Sequence, residues 1–304
     1  MLSCLPVQTQ IGDDMGQVTY LGGSAYQVTG SGGAFVLRFP RDERHLSLLQ
    51  HEQRLSRELQ ARVDIRVPDT TLVQTGDEGP VFAIHQMIRG KPLETEALAQ
   101  QSPESIQRFV DDLVRFYGQT HSVPLDLVCE WLDVPCGPER TLTSLAARLG
   151  KPLWFSAEAV RDMRPRVLPL LDDQERKLFE DTVRQFEALE SDPANMVFGH
   201  GDMHGYNMAV GETESGLRLL GVFDLECTGI LDLHEDFFRL SLVSEALLDQ
   251  VLACYGQARI DAPPIDRDRI ATYYRAFLFY LMDGRSGEGL AHLKRLLEKH
   301  QLGR

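Results

Sequence analysis

The hydrophobic period of this chain changes once, near residue 89, and that change limits what can fold on either side of it. Before it, Gln17–Leu21, Ala25–Thr29 and Ala34–Phe39 are short runs rich in β-branched and aromatic residues, punctuated by Gly22-Gly23 and Ser31-Gly32-Gly33. Such runs between glycine clusters predict a meander of hairpins. Pro40 closes the third run, and Leu46, Leu49, Leu55 and Leu59 then recur at helical spacing between Glu43 and Arg62. Val67-Pro68 ends that helix, and Thr70–Gln74 and Val81–Met87 read as two more strands. The expected order is therefore five strands, with one helix inserted after the third.

Beyond residue 89 the period is mostly helical. Pro103–His121, Thr141–Leu149, Ala157–Leu171 and Gln174–Glu190 carry apolar residues at helix spacing, and Ser102 is placed to cap the first. A strand–loop–strand insert at Met196–Asp224 interrupts them, and the chain is helical again from about Asp232 to Leu302, with a loop at Arg259–Asp266. An α+β chain of two lobes follows, residues 1–88 and 89–304. With 43% hydrophobic residues in 304, there is ample material for a core. No run approaches the roughly 20 apolar residues of a membrane helix. The first residues lack the basic flank and apolar run of a secretory signal. Five scattered cysteines without a CxxC pair indicate neither a disulfide framework nor a zinc ribbon. These features predict a cytoplasmic protein with no membrane or obligate protein partner. A net charge of −14 disfavours nucleic acid and suits a cationic ligand, although acidity of this kind also serves solubility alone.

The insert carries the chemistry. Between two apolar runs lies His200-Gly201-Asp202-Met203-His204-Gly205-Tyr206-Asn207, and a second strand delivers Phe223-Asp224-Leu225-Glu226. Phosphoryl transfer depends mainly on positioning and charge stabilisation: a carboxylate orients the attacking hydroxyl, and hard oxygen ligands hold Mg²⁺ against nucleotide phosphates. Asp202, Asn207 and Asp224 supply that set. His200-Gly201-Asp202-Met203-His204 also has the form of a His/Asp metallohydrolase cluster, and the histidines have a second reading as loop pins through backbone hydrogen bonds.

The loop resembles the HGDxHxxN sequence of the aminoglycoside phosphotransferase and choline kinase superfamily. Gly221–Glu226 resembles that superfamily's metal-binding strand end, and Asp232–Asp236 its downstream DxxxD. The resemblance implies a protein-kinase-like bilobal fold, ATP or GTP as donor, Mg²⁺, and a small hydroxylated acceptor, an aminoglycoside first. Asp202 takes the catalytic place, Asn207 and Asp224 those of the metal ligands, and Asp236 that of the buried aspartate bracing the loop. His200, His204 and Glu226 are supporting residues. Leu37-Arg38-Phe39-Pro40 resembles an LRxP strand end whose cation binds nucleotide phosphate, with Glu52 as its partner on the next helix. Gly22, Gly23 and Ser24 stand where a glycine loop would cover the phosphates. Met87–Leu93 resembles the segment past the hinge, which assigns base contacts to His85, Gln86, Met87 and Ile88.

The sequence departs from the pattern in having Arg38 for lysine and Asp-Leu-Glu for Asp-Phe-Gly, so a nucleotide-binding pseudokinase stays open. So do other acceptors, including homoserine, choline and sugars. Seven acids between Asp224 and Gln250 face one base, Arg239. They read either as a cation-binding wall or as a solvated helix face. The Phe237-Phe238 and Tyr273-Tyr274 pairs read as core before cation cage. Neither Gly-Lys pair fits a GxxxxGK[ST] phosphate loop.

Overall fold

A computed structural model describes residues 15–22, 24–75, 79–134, 143–144, 157–189, 192–214, 216–259 and 263–302. The first lobe is a five-stranded antiparallel sheet of β1 (Met15–Gly22), β2 (Ala25–Gly30), β3 (Gly33–Arg38), β4 (Thr71–Gln74) and β5 (Val81–Gln86). Its order is β1-β2-β3-β5-β4. The first three strands pair as the expected meander. Helix α1 (Glu43–Gln60) then carries the chain to the far edge, so β5 returns to pair with both β3 and β4. Strand alternation gathers Val28, Phe35, Leu37, Val73, Phe82 and Ile84 into one small core. Helix α1 starts where Asp42 accepts the His45 amide at 2.8 Å. It buries Leu48, Leu49, Leu55 and Leu59, and with them the carboxylate of Glu52.

The larger lobe holds helices α2 (Thr95–Ala99), α3 (Pro103–His121), α4 (Leu125–Leu132), α5 (Ala157–Val167) and α6 (Asp173–Glu187). Then come α7 (Leu233–Phe238), α8 (Glu245–Ala258), α9 (Arg267–Met282) and α10 (Gly287–Leu302). Among them lie β6 (Thr143–Ser144), β7 (Met196–Gly199), β8 (Met208–Thr213), β9 (Gly216–Val222) and β10 (Gly229–Asp232). The β8–β9 hairpin stands alone, and the other three strands form a sheet in the order β6-β10-β7. Ser102 caps α3 by accepting the Ser105 amide, and Pro103 fills the first helical position, where its missing N–H leaves no bond unmade.

Helix α3 is the scaffold for the hairpin. Asp112, buried on it, takes both Arg218 Nε at 2.6 Å and Nη2 at 2.8 Å, and also accepts the Leu219 amide at 3.1 Å. Ser105 Oγ accepts the Leu217 amide at 2.7 Å. The hairpin is tied in turn to the segment joining the lobes. Lys91 and Val210 exchange two backbone bonds of 2.8 Å, and the Val222 amide reaches Arg66 O at 2.9 Å. This close approach requires glycine at position 90. Its φ is +134°, and a Cβ there would stand 2.8 Å from Val210 O.

Three local expectations change. The helix expected at Thr141–Leu149 is a strand at Thr143–Ser144, where the backbone pairs with Gly229 and Ile230; its remaining residues lie outside the described ones. Pairing at the edge of a sheet has overridden a local helical period. Strand β10 and helix α4 were not anticipated. Gly229–Asp232 is buried throughout, so it has no polar–apolar alternation to signal a strand. Phe237, Phe238, Tyr273 and Tyr274 are core. Among the described residues no helix is long and apolar enough to cross a membrane.

Candidate active site

Strand β7 ends in a tight loop held from below by one carboxylate. Asp236, in α7 and fully buried, accepts the Gly201 amide at 2.6 Å and the His200 amide at 3.3 Å. Its Oδ2 also accepts His121 Nε2 at 2.9 Å, and His121 Nδ1 accepts the Tyr255 hydroxyl at 2.8 Å. Gly201 has φ +74°, and a Cβ there would stand 2.5 Å from Cys227 O, so the turn admits no side chain. Burial opposes ionisation of Asp236, but His121 and the loop amides outweigh it and hold the carboxyl below its ordinary range.

Both histidines of the loop are engaged within it. His200 Nδ1 accepts the Asp202 amide at 3.3 Å, and its Nε2 donates to Phe223 O at 3.2 Å. Burial lowers its pKa and keeps the ring neutral, which matches that tautomer. His204 Nδ1 accepts the Tyr206 amide at 3.2 Å, and its Nε2 faces Asp202 Oδ2 at 3.5 Å. With both His200 nitrogens bonded, the ring presents no lone pair to a metal. The pinning role expected for the histidines is what the geometry gives, and the metallohydrolase alternative loses its first ligand.

Asp202 lies at the mouth of this loop, with 21% of its side chain exposed. Oδ2 accepts Asn207 Nδ2 at 3.1 Å, and Oδ1 stands 3.3 Å from Arg239 Nε. Burial alone would raise its pKa, but His204, Arg239 and His200 outweigh that and hold it at about 2. Arg239 is buried, with its guanidinium 3.9 Å from the Phe277 ring centre and 4.6 Å from that of Phe238.

Asn207 and Asp224 are brought together by a backbone bond from Phe223 N to Asn207 O at 3.1 Å. Asn207 is buried, and its amide nitrogen is fixed by Asp202 O at 3.0 Å, which leaves Oδ1 directed away from that contact. Asp224 has φ +64°, a left-handed conformation that aspartate tolerates better than most residues. Its carboxylate is exposed and makes no ion pair among the described residues. Two hard oxygen donors, one of them an exposed carboxylate, fit Mg²⁺ shared with phosphates and water. Glu226 stands beside them in the turn Leu225–Cys227.

The sheet lobe supplies the facing wall. Arg38 Nη1 reaches both Glu52 oxygens, at 2.7 and 2.5 Å, leaving Nη2 and Nε outside the pair. Glu52 raises the Arg38 pKa, with the Asp224 charge adding to it. Burial raises that of Glu52 despite Arg38, and Asp224 pushes the same way. Arg38, Glu52 and Asp224 therefore sense one another across the lobes. Gly22 pairs with Ala25, Ala25 pairs with Arg38, and Ser24 O accepts the Phe39 amide at 3.0 Å, so this turn shares Arg38's end of the sheet. Gly23 lies outside the described residues. His85 and Gln86 pair with Val36 and Phe35, and the Met87 amide donates to Ala34 O at 2.8 Å, so that amide is committed to the sheet and Ile88 begins the crossing.

The acidic segment is mostly paired within the protein. Asp232 accepts Arg269 and His234, Asp236 braces the loop, and Glu245 and Asp249 share Arg267. Glu235 differs: burial, with Asp232 and Asp236 nearby, pushes its carboxyl up to about 8 against the pull of Arg239. Two residues of the site escaped sequence reading. His121 is one apolar-face position among many on α3, and Arg239 was read only as the lone base of an acidic run.

A sheet lobe facing a helical lobe across such a loop defines a protein-kinase-like phosphotransferase fold. The family model described as "Phosphotransferase enzyme family" matches residues 21–273. The chain belongs to that family and is an enzyme transferring phosphate to a hydroxyl group. Its fold is similar to the GDP complex of wild-type aminoglycoside 2'-phosphotransferase-IIIa, with TM-score 0.70, 19% identity, and 98% and 96% of the two chains covered. It is similar to the streptomycin–ATP complex of APH(2")-IIa, with TM-score 0.58, 18% identity and coverage of 96% and 94%. It is also similar to macrolide 2'-phosphotransferase MphH from Brachybacterium faecium, with TM-score 0.59, 16% identity and coverage of 98% and 95%. No curated protein matches the chain in sequence.

Proposed function

We propose that this enzyme moves the γ-phosphate of ATP or GTP to a hydroxyl of a small cationic acceptor, an aminoglycoside first. The observation that carries it is the Asp202 carboxylate, kept ionised and oriented between Asn207 and Arg239 while Asp224 stands on the adjoining strand end. In this reading residues 1–88 and 89–304 are the two lobes, and the nucleotide lies between them. The free edge of Arg38 binds phosphate, with Glu52 holding its other side. Gly22, Gly23 and Ser24 cover the phosphates, and the stretch His85–Ile88 borders the base through groups other than the Met87 amide. Asn207 and Asp224 hold Mg²⁺, which neutralises charge on the phosphates.

Asp202 orients the acceptor hydroxyl. A carboxylate with a pKa of about 2 is a weak base, so it takes the proton late, as the new P–O bond forms and the oxygen becomes acidic. His200 and Asp236 keep the loop in place, His204 and Arg239 keep Asp202 charged, and Glu226 supports the metal side. The intact set of Asp202, Asn207 and Asp224 favours an active enzyme over a pseudokinase.

The preference for a cationic acceptor rests on the net charge of −14 and on the aminoglycoside complexes among the similar structures. The pairing of Asp232, Glu245 and Asp249 with arginines favours a second reading, a neutral alcohol metabolite or macrolide. Thermal unfolding with Mg²⁺ and ATP or GTP tests the donor site: nucleotide is expected to raise Tm, and Arg38→Ala to abolish the rise. An unchanged rise in that variant would remove Arg38 from the site.

A further inference from the structure

A second cavity lies outside the site described above. It is an open groove of 1070 Å³ between α3, the turn that follows it and the end of α8, and it takes Arg62 from beyond α1. Its charged lining is Arg62, Arg115, Arg259 and Asp111, with Val114 and Pro124 among its apolar walls. Three arginines to one acid is the reverse of the whole chain, which has 45 acids and 31 bases. Asp111 accepts the Gln107 amide at 2.9 Å, and Arg62 is held by Glu58 at 3.0 Å with its guanidinium 4.7 Å from the Trp131 ring centre. Arg115 is exposed and makes no ion pair among the described residues.

Arg259 is the distinguishing residue. Its Nη1 is buried and has no hydrogen-bond partner among the described residues. Its guanidinium lies 5.9 Å from the Tyr255 ring centre, and the Tyr255 hydroxyl is bonded to His121 and through it to Asp236. The ring beside the head group is thus held from behind by a buried chain of bonds. A buried donor without a partner is unfavourable, and a planar arginine fork matches the two oxygens of a phosphate or carboxylate.

We propose that this groove is a binding site for a small organic oxyanion, a phosphate or carboxylate carried on a partly apolar body, gripped by Arg259 and Arg115. The size of the cavity suits such a molecule. The test is calorimetric titration of the full chain at low ionic strength, with inorganic pyrophosphate and citrate as separate probes. The cleft is filled beforehand with Mg²⁺ and a non-hydrolysable nucleotide analogue. One saturable site is expected with at least one probe, weakened tenfold or more by Arg115→Glu and by Arg259→Ala, weaker at high salt, and unchanged by Asp224→Ala. Arg115 is exposed, so its variant keeps the test valid where Arg259→Ala fails to fold. Binding of pyrophosphate alone assigns phosphate, and of citrate alone carboxylate. Binding by neither probe, equal binding in Arg115→Glu, or loss of binding in Asp224→Ala would overturn the proposal. Nucleotide binding is read separately in a blank titration; where it is absent the probes are titrated without it, so failure of the donor site and of the groove are distinguishable.

Discussion

Arg239 sets its Nε 3.3 Å from Asp202 Oδ1 while its buried guanidinium packs against the rings of both Phe238 and Phe277. A charge so enclosed does not follow the carboxylate; it fixes where the carboxylate can be. Replacing Arg239 by methionine keeps the bulk against the rings and removes the charge. Turnover is expected to fall about tenfold or more with little change in nucleotide affinity, because orientation is lost and donor binding is not. Steady-state kcat beside nucleotide Kd checks it, and equal losses in both would mark Arg239 as structural.

Arg38 and Glu52 separate stability from binding. Removing the arginine alone leaves a buried carboxylate without its partner, and Arg38→Met is expected to cost about 3 kcal/mol. The double change Arg38→Met with Glu52→Leu should recover most of that stability, since a buried ion pair can be replaced by packed apolar groups. Nucleotide affinity should remain low in both. Chemical denaturation and nucleotide titration of the four members of the cycle measure the two effects.

The pH dependence has a definite sign. Asp202 is held at about 2 in the folded chain against an ordinary value of 3.8, so its stabilising share is present above the unfolded value and is lost as pH falls from about 4 to 2. The share is about 2 kcal/mol. The stability difference between wild type and Asp202→Asn should shrink through that window and be flat from pH 5 to 8. A difference that instead changes near pH 6 to 7 would place the titration on a histidine.

Gly90→Ala tests the junction of the lobes. Its left-handed φ and the 2.8 Å approach to Val210 O both penalise a Cβ, so a loss of about 2 kcal/mol is expected. A Tm unchanged within a degree would mean that the Lys91–Val210 pairing can shift to admit a methyl group.

Much of this was legible in the sequence where signals were local. The glycine-punctuated strands, the leucine spacing after Glu43 and Ser102-Pro103 marked the small lobe and α3 almost to the residue. The loop from His200 to Asn207 and the strand end at Asp224 declared themselves by residue type and order. What was hidden depends on distance in the fold. His121 meets Asp236 across 115 positions, and its place in the last turn of α3 looks like any other buried helix position. Arg239 follows two phenylalanines in a buried stretch, and only the fold aims it at Asp202. The acids after Asp224 suggested a cation-binding wall because their partners, Arg267 and Arg269, lie on a later helix. Thr143–Ser144 joined a sheet because β10, itself unrecognised, offered an edge.

The central claim is that Asp202 serves phosphate transfer to a hydroxyl, and release of nucleoside diphosphate tests it most directly. The assay sets ATP and GTP with Mg²⁺ against a panel of aminoglycosides, macrolides and simple metabolite alcohols, for wild type and Asp202→Ala. One acceptor class, aminoglycosides first, is expected to raise release well above the water background, with the variant at least about a hundredfold slower and still binding nucleotide. Full turnover in Asp202→Ala, or acceptor-independent release across the whole panel, would contradict the account.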